Sequence, residues 1–142
     1  VSEVPSLVPQ ATEAVVGKAK IATSAIAQAG VNDTDFITPL KLKAVSFGVG
    51  QTVRDVASSR VLDTIYTNNT GKAIFLIVVL GTSGTGFSYS VVTVDGVSYS
   101  GSAQQQSGIY STNFAIIPNG SQYSVSRMGN AGGVSKWLEL RT

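Results

Sequence analysis

The run "AIFLIVVL" (73–80) constrains the fold more than any other stretch of this chain. Continuous apolar residues rich in β-formers mark a strand covered on both faces. The run falls well short of the roughly 18 residues that a membrane-spanning helix needs. Downstream, "FSYSVVTV" and "VSYSG" flank Asp95-Gly96, the dipeptide that a type I′ hairpin prefers. "NFAIIPNGSQYSVSR" repeats the device around Pro118-Asn119-Gly120, and the chain closes on "VSKWLELRT". Strands are expected near 60–67, 72–81, 87–95, 97–101, 109–117, 121–127 and 134–141. Short strands with regularly spaced turns imply a mainly β fold, an antiparallel β-sandwich.

The first third has a different character. "ATEAVVGKAKIATSAIAQAGV" offers few apolar side chains beyond Ala, and Gly17 and Gly30 interrupt it. In "TSAIAQAG", Thr23 or Ser24 suits an N-cap and Gly30 a C′ position, leaving about two turns of helix. In "ITPLKLKAV", Thr38 caps a second short helix with Pro39 at its first position. Isolated helices below about 12 residues are marginal in water, and neither helix can bury a face within this segment. Two domains are therefore expected, a short α-containing stalk or shoulder over 1–50 and a β-domain over 51–142. The shoulder is expected to intertwine in an assembly; the other reading is a flexible linker. The apolar spacing is too irregular for a heptad coiled coil.

Composition excludes several chemistries. Neither Cys nor His occurs among the 142 residues. That removes thiolate and imidazole nucleophile systems and the usual zinc ligands. Charged residues make up only 13% of the chain, against about 25% in ordinary soluble domains, so Ser, Thr, Asn, Gln and Gly must build the polar surface. A formal charge of +2, with no basic block interleaved with aromatics, gives no footing for nucleic acid. The start at Val1 without Met or a signal peptide reads as a piece of something longer.

The remaining chemistry would rest on acids. Asp95 belongs to its turn, Asp33 and Asp35 look like turn or cap residues, and Glu139 alternates with Trp137 and Arg141 on one strand face. Asp55 and Asp63 show no spacing that places them across a cleft as a glycosidase pair requires. "GTSGTG" (81–86) opens no helix and reads as a turn rather than a phosphate loop. No catalytic residue, metal site or cofactor is expected. Three Asn-x-Ser/Thr triplets, at Asn32, Asn68 and Asn119, all fall in expected turns, so turn chemistry is favoured over glycosylation. Trp137, between apolar neighbours on a strand, is expected to pack. The polar loop 100–108 carries Gln104, Gln105 and Gln106 beside Tyr110, a combination of amides and an aromatic platform that suits a sugar; the other reading is an ordinary solvated loop. Arg127 and Asn130 in a second polar loop could contact hydroxyls or anions.

The segment "ATEAVVGKAKIATSAIAQAGVNDTDFITPLKLKA" (11–44) resembles a phrase common in tail fibres of tailed bacteriophages, where it precedes the distal receptor-binding part. The shared positions are Ala11-Thr12-Glu13, Gly17, Ala19, Ile21-Ala22-Thr23, Ala29-Gly30, Thr38-Pro39 and Lys41-Leu42. "YTNNTGKAIFLIVV…VDGV…IIPNGSQYSV…WLELR" is similar to a C-terminal module of such fibres and of tailspikes. The resemblance carries no catalytic residue. It implies a homotrimeric distal fibre tip, carried on a virion, that adheres to a bacterial surface polysaccharide without cofactor, nucleic acid or membrane insertion. Under that reading Ile21, Ile26, Phe36, Ile37, Leu40 and Leu42 are the trimer-interface residues. The rival is a C-terminal trimerisation or capping module of a tailspike depolymerase whose catalytic part lies upstream.

Overall fold

A computed structural model describes residues 9, 12, 18–32, 34–82, 86–103 and 108–142. The chain divides into two compact units, residues 1–49 and 50–142.

In the first unit, strand β1 (Lys20–Ile21) runs parallel to β2 (Asp35–Phe36), and helices α1 (Ser24–Ala29) and α2 (Pro39–Val45) follow one after each strand. Local chemistry sets these helices. Thr23 accepts a hydrogen bond at its side-chain oxygen from the Ile26 N–H (3.2 Å), and Gly30 ends α1 in the left-handed region at φ 63°. Thr38 is the N-cap of α2 with Pro39 opening the helix, although its hydroxyl makes no capping bond. The Asn32 side-chain oxygen accepts from the N–H groups of Thr34 (3.0 Å) and Asp35 (2.9 Å), an Asx turn that leads into β2. Neither helix contains a buried residue. Among the described residues of this unit, Ala22 is the sole buried apolar side chain.

The second unit is mainly β, with two four-stranded antiparallel sheets. The first has the order β3 (Thr52–Asp55), β10 (Ala131–Arg141), β5 (Ile74–Thr82), β8 (Tyr110–Ile117). The second has the order β4 (Tyr66–Thr67), β9 (Gln122–Gly129), β6 (Ser88–Val94), β7 (Val97–Ser100). One core joins them: Ile74, Leu76, Val78, Leu80, Ala115, Ile117 and Trp137 from the first sheet, Val92, Tyr123 and Val125 from the second. Trp137 is fully buried, as its apolar flanks suggested, with the Tyr66 ring set edge-on at 6.1 Å. The β6–β7 hairpin turns on Asp95 (φ 47°) and Gly96 (φ 82°), the pair of positive φ values that a type I′ turn requires.

Three sequence expectations need correction. First, 60–67 is not one strand. Ala57–Ser59 form a 3-10 turn, and only Tyr66–Thr67 join a sheet. Tertiary bonds take the rest: the Val61 N–H donates to the Tyr66 hydroxyl (2.7 Å), and Asp63, at φ 62°, donates its N–H to the Val125 carbonyl (2.8 Å). Second, β3 was not anticipated, because "TVRD" has no apolar run; its strand character comes from pairing with β10. Third, Pro118-Asn119-Gly120 closes no hairpin. β8 and β9 belong to different sheets, and the segment is a corner. Asn68 holds that corner, donating from its side-chain nitrogen to the carbonyls of Lys72 (2.8 Å), Ile117 (2.9 Å) and Pro118 (3.0 Å).

Candidate functional site

Strand register gathers three of the proposed glycan contacts at one end of the second unit. Tyr110, the first residue of β8, pairs with Gly81 of β5, and the next β5 residue, Thr82, pairs with Ala131 of β10. Tyr110 and the Asn130 turn therefore flank the same strand end, roughly 10 Å apart across β5 at the usual strand spacing. Arg127 lies at the same end of the other sheet, opposite Ser90. All three are exposed, Tyr110 at 58%. Gln104, Gln105 and Gln106 lie outside the described residues. The Asn130 N–H donates to the Phe87 carbonyl (3.0 Å), and Gly129 at φ 70° lets the chain pass there, since a Cβ would overlap that carbonyl.

This end also presents Phe87 and Met128, both exposed, with Tyr89 paired against Met128. Sequence reasoning did not single them out. In "FSYSVV" the aromatic and serine positions alternate, and hydrophobicity alone would turn the aromatics inward. The structure does the opposite: Ser88 and Ser90 are fully buried and Phe87 is 60% exposed. The interior here is polar. The Asn113 side-chain nitrogen donates to the Ser90 carbonyl (3.3 Å), and the Ser111 hydroxyl donates to the Ser102 carbonyl (3.0 Å). Alternation puts Tyr110 on the outer face of the first sheet, with Phe114 and Ile116, whereas Phe87 and Met128, with Tyr89, form an exposed aromatic and thioether surface on the outer face of the second sheet, at the strand end that carries the Asn130 amide. Such a surface can stack against a sugar ring and hydrogen-bond its hydroxyls.

At the opposite end, a shallow depression of about 200 Å³ is lined by Ile65, Thr93, Asp95, Gln122 and Ser124. The Ser121 hydroxyl and the Gln122 N–H (2.8 Å) both donate to the Asp95 carboxylate and hold its pKa below the ordinary value. Those bonds fix the corner of the turn and occupy much of the acceptor capacity that a ligand would use.

Among the described residues, the most concentrated ionic cluster is buried. Glu139 is fully buried and accepts from Arg60 at both oxygens (3.0 and 3.1 Å), from Arg141 (3.0 Å), from the Tyr123 hydroxyl (2.7 Å) and from the Trp137 indole (3.2 Å). The strand-face alternation of Trp137, Glu139 and Arg141 thus forms, and it faces the interior. Arg60 also lies over the Tyr66 ring, 4.6 Å from its centroid. Burial acts to lower the Arg60 pKa, but the hydrogen bond and charge of Glu139 outweigh it and leave it raised. Both oxygens of this carboxylate are occupied by donors.

Asp55 on β3 pairs with Lys136 (2.9 Å), which lowers its pKa, while Asp63 sits in its turn against the second sheet. Among the described residues no cluster of three or more acidic ligands could hold a metal. The three glycosylation triplets are turn devices: Asn32 caps its turn, Asn68 is 2% exposed, and the Asn119 side-chain oxygen accepts from the Gly71 N–H (2.8 Å).

The expected trimer-interface residues lie on the surface of the single chain. Ile21, Phe36, Ile37, Leu40 and Leu42 are between 43 and 76% exposed, and Ile26 is half-buried. Val31 (88%) and Phe47 (49%) add to the same character. An open concavity lined by Ala25, Ile26, Ala29 and Val31 lies beside α1. Compared with known proteins, the sequence matches no family model and no curated protein.

Proposed function

We propose that the chain is a non-catalytic adhesion module, the distal tip of a phage tail fibre, which works as a homotrimer and binds a bacterial surface polysaccharide. In this reading residues 51–142 are an antiparallel β-sandwich that carries the receptor site, and residues 1–50 are the shoulder that intertwines with sister chains. The observation that carries the binding role is the exposed Phe87 and Met128 surface on the outer face of the second sheet, with Asn130 at the same strand end; Tyr110 and Arg127 lie at that end on other faces. A sugar supplies the apolar ring face and the hydroxyls that such a surface complements. One site per chain would bind weakly, and a trimer raises the avidity without any new contact.

The rival, a trimerisation or capping module of a depolymerase tailspike, draws on a different observation. Among its described residues the first unit leaves most of the large apolar side chains exposed, as an assembly segment would before its partners arrive. Binding of the intact protein to a panel of bacteria and their purified capsular and lipopolysaccharide glycans separates the two. Adhesion requires saturable binding that periodate oxidation of the cell surface abolishes. A well-formed oligomer that binds no cell or glycan in the panel would reject adhesion and leave the cap.

A further inference from the structure

Among the described residues of its unit, strand β5, which dominates the sequence, turns one face into the core and the other to the outside of its sheet. Alternation sends Ile74, Leu76, Val78 and Leu80 into the core, each at most 1% exposed. Phe75, Ile77 and Val79 point to the outer face of the first sheet, where register builds two apolar rows. Val53, Leu140, Phe75 and Ile116 form one row across the four strands; Leu138, Ile77 and Phe114 form the next, with Asp55 at its edge. Phe114, Ile116 and Val53 are 64, 59 and 64% exposed. The Phe75 and Phe114 rings meet at 6.2 Å.

The outer face of the second sheet is built differently. There Thr93 pairs with Ser98 and Ser124, and Val91 with Ser100 and Ser126. The Thr93 and Ser98 hydroxyls are hydrogen-bonded at 2.7 Å. The middle of this face is hydroxylic and carries its apolar side chains, Phe87, Tyr89 and Met128, at one end, while the face of the first sheet is apolar across all four strands.

We infer that the outer face of the β3–β10–β5–β8 sheet is covered by the same face of sister copies of this chain. The inference rests on the homotrimer reading and names its interface: the β-domain's apolar sheet, in addition to the shoulder. Three observations select a second copy as the occupant. With large side chains of roughly 200 Å² each, the exposed fractions leave on the order of 500 Å² of apolar surface. A patch of that size lies toward the upper end of the roughly 300–600 Å² that is the largest patch on a typical monomer, and it would supply a large part of the about 800 Å² that a standard interface takes from each partner. The face is also electrically neutral, because its flanking charges, Asp55 and Lys136, pair with each other at 2.9 Å. Identical copies therefore meet without like-charge repulsion, and a lipid surface finds no basic rim. Finally, the two rows offer no hydrogen-bonding group apart from Asp55, so a glycan would leave its hydroxyls unpaired against them. Around a threefold axis, three such faces would close an apolar prism.

The test uses the intact chain, whose lack of cysteine permits single-thiol labelling. Light scattering should give a trimer for the wild type and for Ser98→Lys on the hydroxylic sheet. Phe114→Asp with Ile116→Lys should shift at least tenfold toward monomer while keeping the β circular-dichroism signal. Should that pair fail to fold, the conservative Phe114→Cys decides: its thiol should react with a maleimide at least tenfold more slowly than the thiol of Ser98→Cys. Persistence of the trimer in the folded double variant, or equal thiol reactivity, overturns this interface and leaves the trimer reading intact. A monomeric wild type overturns both; a protected position 114 in that monomer would assign the cover to the chain's own residues.

Discussion

Arg60 and Glu139 lie 79 residues apart in the sequence and meet fork to fork, Nε to Oε1 at 3.0 Å and Nη2 to Oε2 at 3.1 Å. The pair ties the loop before β4 to the last strand, and Tyr123 extends the network to the other sheet. A bidentate guanidinium can satisfy a buried carboxylate in a way that a lysine cannot. Removing one partner leaves the other buried and uncompensated.

Glu139→Gln is therefore expected to lower unfolding free energy by about 3 kcal/mol, the range for breaking a buried ion pair. Arg60→Lys keeps the charge but loses the fork, and should cost about 1–2 kcal/mol. Denaturant unfolding of both variants checks the order; equal and negligible costs would show that the cluster is not coupled to folding.

Tyr123 gives the network a pH signature. Burial first, then its hydrogen bond to Glu139, raises the phenol pKa well above its ordinary value of 10.0. The folded state thus holds this proton more tightly than the unfolded chain. Its contribution is fully present below pH 10 and is lost as pH rises through the folded pKa. Tyr123→Phe should cost about 1–2 kcal/mol at neutral pH and flatten the alkaline decline in stability. An unchanged alkaline slope in the variant would assign that decline to other groups.

Asp95 has the opposite sign. Its pKa is held below 3.8 by the Ser121 hydroxyl and the Gln122 N–H, so its contribution is present above pH 3.8 and disappears as pH falls through the folded value. Asn tolerates the left-handed φ of 47° at this turn. Asp95→Asn should accordingly be less stable than wild type at pH 7, with the difference closing on acidification. A difference that stays constant to pH 2 would contradict the assignment.

The parts of this fold that the sequence made legible are those decided by near neighbours. Thr23, Gly30 and Pro39 mark helix ends because capping bonds span three or four residues, and Asp95-Gly96 marks a hairpin because its φ values are set locally. The parts that stayed hidden depend on distant partners. β3 exists because Val53 meets Leu140. The 60–67 strand fails because Arg60 and Asp63 are drawn to Glu139 and Val125. The candidate site was legible as residue types and not as a place. Tyr110 and Asn130 reach the same strand end only through their common neighbour β5, and Phe87 faces outward only because Ser88, Ser90, Ser111 and Asn113 fill the interior at that end.

Asn68 shows what such a distant contact is worth. Its side-chain nitrogen serves three carbonyls, and its oxygen accepts from the Thr70 hydroxyl (2.8 Å) and N–H (3.2 Å). Asn68→Asp replaces that donor with a charged acceptor facing the same carbonyls, and should destabilise by about 4 kcal/mol. Asn119→Ala loses one exposed bond to Gly71 and should cost under about 1 kcal/mol. Comparable losses in the two variants would mean that the corner is held otherwise.

Tyr110→Ala separates binding from folding. The ring is 58% exposed and outside the core, so its removal should leave stability within about 0.5 kcal/mol of wild type. If the ring is the platform on which a sugar stacks, each site should weaken about tenfold, close to 1.4 kcal/mol. The loss multiplies across the sites of a trimer engaged together, so adhesion to whole cells should fall by far more than tenfold. Phe87→Ala, at the same strand end, should weaken binding in the same direction, whereas Asp95→Asn, at the opposite end, should leave it unchanged. Full adhesion by Tyr110→Ala and Phe87→Ala, with adhesion lost in Asp95→Asn, would move the receptor site to the depression formed by Thr93, Gln122 and Ser124.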